Sequence, residues 1–156
     1  MKNSKLKLLI FIAIPLVIGG LAALISGGGM DTFDKMAKPP LSPPGWLFPV
    51  VWTILYILMG IASFLVYTSS APKNSKKNAL ILYAIQLFVN FLWPILFFSL
   101  QMCTAAAVLI VILWILVLAN LLYFYKIKKA AGYLLIPYLL WVTFATYLNI
   151  AICVIN

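Results

Sequence analysis

Apolar positions along the chain fall into five long runs, each broken from the next by a short polar, glycine-rich or proline-rich interval. The runs cover about 6–25, 46–67, 79–98, 103–125 and 133–155. Each is close to the roughly 20 residues a helix needs to cross the hydrocarbon of a bilayer. Their period does not alternate as a strand would, so the pattern predicts five membrane-spanning helices. The first run follows Lys2, Lys5 and Lys7, a layout shared with secretory signals. A signal's apolar stretch is usually about 7–15 residues, so a retained helix is expected here. Within it Gly19, Ala23 and Gly27 form a small-residue stripe that suits close approach of another helix.

The intervals differ in character. Residues 26–45 begin with Gly27, Gly28 and Gly29, carry Asp31 and Asp34, and end in Lys38-Pro39-Pro40-Leu41-Ser42-Pro43-Pro44-Gly45. Four prolines in that segment remove backbone donors and favour polyproline II, which predicts a stiff lid rather than a loose tether. Pro72–Asn78 reads as a loop with three lysines, and Lys126, Lys128, Lys129 and Gly132 as another. Only Ser99–Met102 separate the third and fourth runs, so those helices should be antiparallel neighbours.

Composition agrees with the pattern. The 156 residues are 66% hydrophobic and 8% charged, where soluble domains are about 25% charged. A single five-helix membrane domain over 1–156 is expected, with no room for a separate soluble domain. All 11 basic residues are lysines, and the net charge is +9. They lie in clusters between apolar runs, not along one stripe, so no nucleic-acid partner is expected. Three lysines occupy each of the N-terminus, the second loop and the fourth loop, against only Lys35 and Lys38 on the other side. That bias places the N-terminus in the cytoplasm and the proline loop outside.

The chain has no histidine, and no acid follows Asp34. Proton relays, hydrolase triads and paired carboxylates therefore cannot be assembled within the spans. No metal site is expected. Cys103 and Cys153 lie in apolar surroundings without a CxxC spacing and read as small buried hydrophobes, with neither zinc nor a disulfide framework suggested.

Polar and aromatic residues inside the spans recur at helical spacing. Tyr83, Gln86, Asn90, Trp93 and Phe97 share one face of the third run. Pro49, Trp52, Tyr56, Met59 and Ser63 do so in the second, and Tyr138, Trp141 and Ala145 in the fifth, with Asn149 at the edge. Such stripes serve either a pocket for a planar apolar ligand or plain helix packing. At about 1.5 Å per residue the three stripes overlap in depth, so one flat ligand could meet all of them.

The run from Lys38 to Gly60 resembles the signature of the tryptophan-rich sensory protein family, also called the translocator protein or peripheral benzodiazepine receptor family. Asn90-Phe91-Leu92-Trp93 with Phe97-Phe98 is similar to its third-helix motif. Leu135-Ile136-Pro137-Tyr138-Leu139-Leu140-Trp141 followed by Phe144–Asn149 is similar to its fifth-helix motif. The resemblance implies an all-α, five-helix membrane protein, a homodimer, that takes porphyrin or haem as ligand, and isoquinoline or benzodiazepine compounds, in tetrapyrrole sensing or transport. Carried over by position, it implies a pocket of Phe33, Pro43, Trp52, Tyr56, Asn90, Trp93, Trp141 and Ala145, with Phe33 and Pro43 in the lid. It also implies an alternative, light-dependent porphyrin degradation at Trp52 and Trp141; the packing reading of the stripes keeps open a structural membrane protein without a ligand. No obligatory cofactor is implied, and a bacterial plasma membrane is the expected location. Many members have Trp where this chain has Leu41, an acid in the fourth helix that is missing here, and a basic end to the fifth-helix sterol motif where nothing basic follows Lys129.

Overall fold

The computed structural model describes residues 2–27 and 34–156. Five helices are long and apolar enough to span a membrane. They are α1 (Lys2–Ser26), α2 (Leu47–Tyr67), α3 (Lys73–Ser99), α4 (Cys103–Ile127) and α5 (Lys129–Ile155). The last turn of α3, Ile95–Ser99, is a wide π turn, and α5 is broken once at Leu135. No strand occurs among the described residues.

Contacts close the bundle into a ring. α1 packs mainly on α2 and less on α3, α3 packs on α4, α4 on α5, and α5 returns to α2. The centre is filled by Met59, Ala62 and Val66 of α2, Leu113, Val117 and Phe124 of α4, and Leu135, Tyr138 and Val142 of α5. Leucine, isoleucine and valine cover the outside, including Leu9, Val17 and Leu24 of α1, Val108 and Ile115 of α4, and Leu140 of α5. Such an apolar exterior on five spans places the chain in a lipid bilayer. Several hydroxyl side chains within the spans are satisfied locally. The hydroxyls of Ser26, Thr53, Thr143 and Thr146 each donate to the carbonyl four residues earlier, at 2.7–2.8 Å.

Glycine permits the closest helix approach. A methyl at Gly60 would lie 2.5 Å from the Ile12 Cα, and one at Gly19 would overlap the Tyr56 ring. The α1 stripe expected to admit another helix thus does so at Gly19, against α2.

Two loops differ from expectation. Lys73–Asn78 is the first part of α3, not a loop, and only Lys128 is extended between α4 and α5. The physical reason is that lysine is a good helix former whose stem reaches past the hydrocarbon boundary, so charge ends the apolar run without ending the helix. Lys76 donates to the carbonyls of Tyr67 and Ser69 and so ties the turn before α3 to its first coils.

The proline segment is fastened to the far end of α5. Tyr147 donates to the Pro40 carbonyl at 2.8 Å, and Asn156 donates to the Ala37 carbonyl at 2.9 Å. Leu41 takes a left-handed φ of 71° and is 83% exposed, projecting away from the bundle.

The cysteine reading is overturned. Cys103, the first residue of α4, and Cys153, near the end of α5, form a disulfide with their Cα atoms 5.7 Å apart. Their separation of 50 residues hides the pairing in the sequence, because it arises only when antiparallel α4 and α5 bring opposite ends together.

Candidate functional site

A cavity of about 310 Å³ lies between α1, α2 and α3, toward the proline-segment end. One wall is the small-residue side of α1: Gly19, Gly20, Ala22, Ala23, Ser26 and Gly27. The opposite wall is aromatic, built from Phe48, Trp52 and Tyr56 of α2 and Trp93 and Phe98 of α3. The cavity exists because α1 supplies almost no side-chain volume there; a methyl on Gly20 would meet nothing within 4 Å.

The aromatic wall is held as one unit. Trp52 stacks on Tyr56 with centroids 5.6 Å apart and sits 6.4 Å from Trp93. Trp93 stacks on Phe97 at 5.3 Å and meets Phe98 edge-on at 5.8 Å. Local sequence explains this cluster. Pro94 has no N–H for the carbonyl of Asn90, so the following turn widens to the π form and carries Phe97 and Phe98 back against Trp93.

Behind that wall runs a directional chain of hydrogen bonds. The Tyr56 hydroxyl donates to Asn90 Oδ1, Asn90 Nδ2 donates to Tyr138 Oη, and the Tyr138 hydroxyl donates to Gln86 Oε1, each at 2.7 Å. All four side chains are buried. Gln86 Nε2 ends the chain without a partner among the described residues. The three aromatic and amide stripes do converge, but chiefly on one another.

The candidate residues therefore separate. Trp52, Tyr56 and Trp93 line the cavity. Asn90 is behind Tyr56, with both ends of its amide engaged. Trp141 packs on Phe48 with ring centroids 5.7 Å apart and so lies behind the wall, its buried Nε1 without a partner among the described residues. Ala145 is buried in α5, and Pro43 is half-buried in the proline segment; neither lines the cavity. Phe33 lies outside the described residues.

Asn149 is the residue whose importance its position at the edge of a stripe conceals. It is fully buried, and its Oδ1 accepts the Trp93 indole N–H at 2.9 Å. Its Nδ2 donates to the Cys103 carbonyl at 3.2 Å and to Cys153 Sγ at 3.3 Å. Trp93 at Asn90+3 and Asn149 at Ala145+4 share the helical spacing of their stripes, which is the signal that could have paired them.

The wall carries π faces and few free polar atoms, and suits a flat, largely apolar molecule held by stacking. Among the described residues no group of three or more His, Cys, Asp or Glu could hold a metal ion. With both thiols in the disulfide and no histidine in the chain, the residues present offer aromatic ring faces and do not fit iron ligation by His or Cys.

Comparison with known proteins follows this architecture. The TspO/MBR family matches residues 11–155. The chain is 44% identical over 124 residues to "Tryptophan-rich protein TspO" of Chlorobaculum tepidum, covering 80% of this chain and 78% of that one. It is 39% identical over 152 residues to "Tryptophan-rich protein TspO" of Archaeoglobus fulgidus, covering 97% of each. It is 34% identical over 128 residues to "Translocator protein" of Ovis aries, covering 80% of this chain and 75% of the relative. A five-helix membrane bundle whose sequence matches along nearly its whole length in this way belongs to the TspO/MBR family.

Proposed function

We propose that this protein is a membrane receptor for tetrapyrroles, acting in their sensing or transport, and that the α1–α2–α3 cavity is where they bind. The observation that carries this is the continuous wall of Trp52, Tyr56 and Trp93 facing a side of α1 stripped to glycine and alanine. A conjugated ring gains stacking energy on such a wall and loses none to titratable groups. Isoquinoline and benzodiazepine compounds suit the same wall.

At about 310 Å³ the cavity is at the small end of ligand pockets, which run to roughly 1,000 Å³. A macrocycle enters it by one edge, and α1, the most exposed of the five spans, is the helix that gives way. The protein works as a homodimer in a bacterial plasma membrane, with the N-terminus cytoplasmic and the proline segment outside. Two independent features support that sidedness. Lysines gather at one end of the bundle, and the disulfide is at the other, where an oxidising compartment would preserve it.

The experiment is a protoporphyrin titration of purified protein in the dark, followed by tryptophan quenching, then illumination with the absorbance recorded. Saturable quenching with a stable dark spectrum supports the receptor. Absence of saturation would refute tetrapyrrole binding and leave the stripes as packing. A second function, light-driven porphyrin degradation, is favoured by the direct access of Trp52 to the cavity. It requires loss of porphyrin absorbance in light that depends on Trp52.

A further inference from the structure

We propose that Asn149 is a positioning residue for the cavity tryptophan Trp93, and that the Cys103–Cys153 disulfide holds Asn149 in place, making ligand affinity depend on the oxidised state. The ligand arm of this inference rests on the function proposed above; the placement of Trp93 does not.

The geometry is a short relay from bond to cavity. Trp93 lines the cavity, and its one side-chain hydrogen-bond donor, the indole N–H, goes to Asn149 Oδ1 at 2.9 Å. The amide of Asn149 is then set from its other end, where Nδ2 meets the Cys103 carbonyl at 3.2 Å and Cys153 Sγ at 3.3 Å. Both of those partners belong to the disulfide pair. Asn149 thus has no acceptor for its N–H group that is independent of the pair among its hydrogen bonds in the described residues.

The pair joins the first residue of α4 to the last turn of α5, across the packed α4–α5 interface. Cys103 opens α4 directly after the tight connection from the π turn of α3, where Gln101 adopts a left-handed φ of 53°. Cys153 is in the final turn of α5. Both cysteines are half-buried rather than enclosed, so a small reductant can reach them. A dithiol supplies two electrons and two protons: its thiolate attacks one sulfur, the Cys103–Cys153 bond breaks, and its second thiol closes it into its own disulfide. Two cysteine thiols remain. Cys153 can then rotate and the start of α4 can move, so Asn149 loses its fixed partners and Trp93 its fixed orientation.

The test uses the full-length protein in detergent or nanodiscs. Free thiols are counted first, then near-ultraviolet circular dichroism and protoporphyrin affinity are measured before and after a small dithiol, in wild type, Asn149→Leu and Trp93→Phe. The expected result is no free thiol before treatment. Reduction then weakens porphyrin binding roughly three- to ten-fold, the worth of one positioning hydrogen bond. It also diminishes a tryptophan dichroism signal that Trp93→Phe lacks, and Asn149→Leu shows both changes without further response to dithiol. Because wild type is reduced after folding, a folding defect in a variant cannot mimic the result. Free thiols in untreated protein, or a Trp93 signal indifferent to both reduction and Asn149→Leu, would overturn the inference. If protoporphyrin fails to saturate oxidised wild type, the proposed ligand is wrong, and the Trp93 signal alone decides.

Discussion

The Tyr56 hydroxyl and the Asn90 side-chain carbonyl meet at 2.7 Å across the α2–α3 interface, and the amide nitrogen of Asn90 continues the chain to Tyr138. Asn90 is therefore a fastening between three helices, and its polar atoms are committed before any ligand arrives. Replacing it with leucine leaves the hydroxyls of Tyr56 and Tyr138 short of partners in a buried site. A cost of about 1–2 kcal/mol is expected, near the upper end for interhelical hydrogen bonds in membranes. Thermal unfolding in detergent should show a clear fall in midpoint for Asn90→Leu, whereas an unchanged midpoint would deny the fastening role.

The glycines make opposite predictions. At Gly60 an added methyl meets backbone of α1 at Ile12, which cannot rotate away. Gly60→Ala should cost about 1–3 kcal/mol, the usual range for overpacking, and should separate α1 from α2. Gly20→Ala meets nothing and should leave stability within about 0.5 kcal/mol. Unfolding of the two variants side by side checks both, and equal midpoints would mean that α1 does not approach α2 as described.

Trp52 and Trp141 should behave differently despite their parallel positions in the family motifs. Trp52 faces the cavity, while Trp141 packs against Phe48 with a buried N–H that has no partner among the described residues. Trp52→Phe should weaken porphyrin binding several-fold. Trp141→Phe removes an unsatisfied donor, so its effect on stability should be small and its effect on affinity smaller than that of Trp52→Phe. Titration of both variants in the dark distinguishes them, and a larger effect at Trp141 would relocate the site.

Sidedness is testable by labelling. In a Cys103→Ser/Cys153→Ser background, a cysteine at exposed Leu41 should react with a membrane-impermeant maleimide in intact cells. A cysteine at Lys128, at the lysine-rich end, should react only after permeabilisation. The reverse pattern would invert the topology.

Much of this architecture is legible in one dimension because lipid imposes a simple rule: a helix must be long and apolar, and its polar atoms must point inward. The spans, and the shared faces of Trp52/Tyr56 and Asn90/Trp93, follow from that rule. Helix ends at Lys73 and Lys129 do not, since charge marks the membrane boundary while the backbone continues. Periodicity also gives the face of a residue but not its layer, so Trp141 and Ala145 share the inward side of α5 without reaching the cavity. The disulfide and Asn149 depend on which helix ends meet, a property of the closed ring. The room in the cavity depends on the small side chains of α1 at Gly19, Gly20 and Ala23, and small residues look alike whether they admit a helix or a ligand.

The most direct measurement is therefore a dark protoporphyrin titration of wild type against Gly20→Phe, with thermal unfolding of both. Gly20 lines the cavity and a Cβ there meets no neighbour, so a phenyl ring introduced at this position is expected to take up cavity space without displacing a helix contact. Saturable binding by wild type, lost or weakened at least tenfold in a Gly20→Phe protein of undiminished stability, is the result predicted. Equal affinity in the two stably folded proteins would contradict the placement of the ligand between α1, α2 and α3.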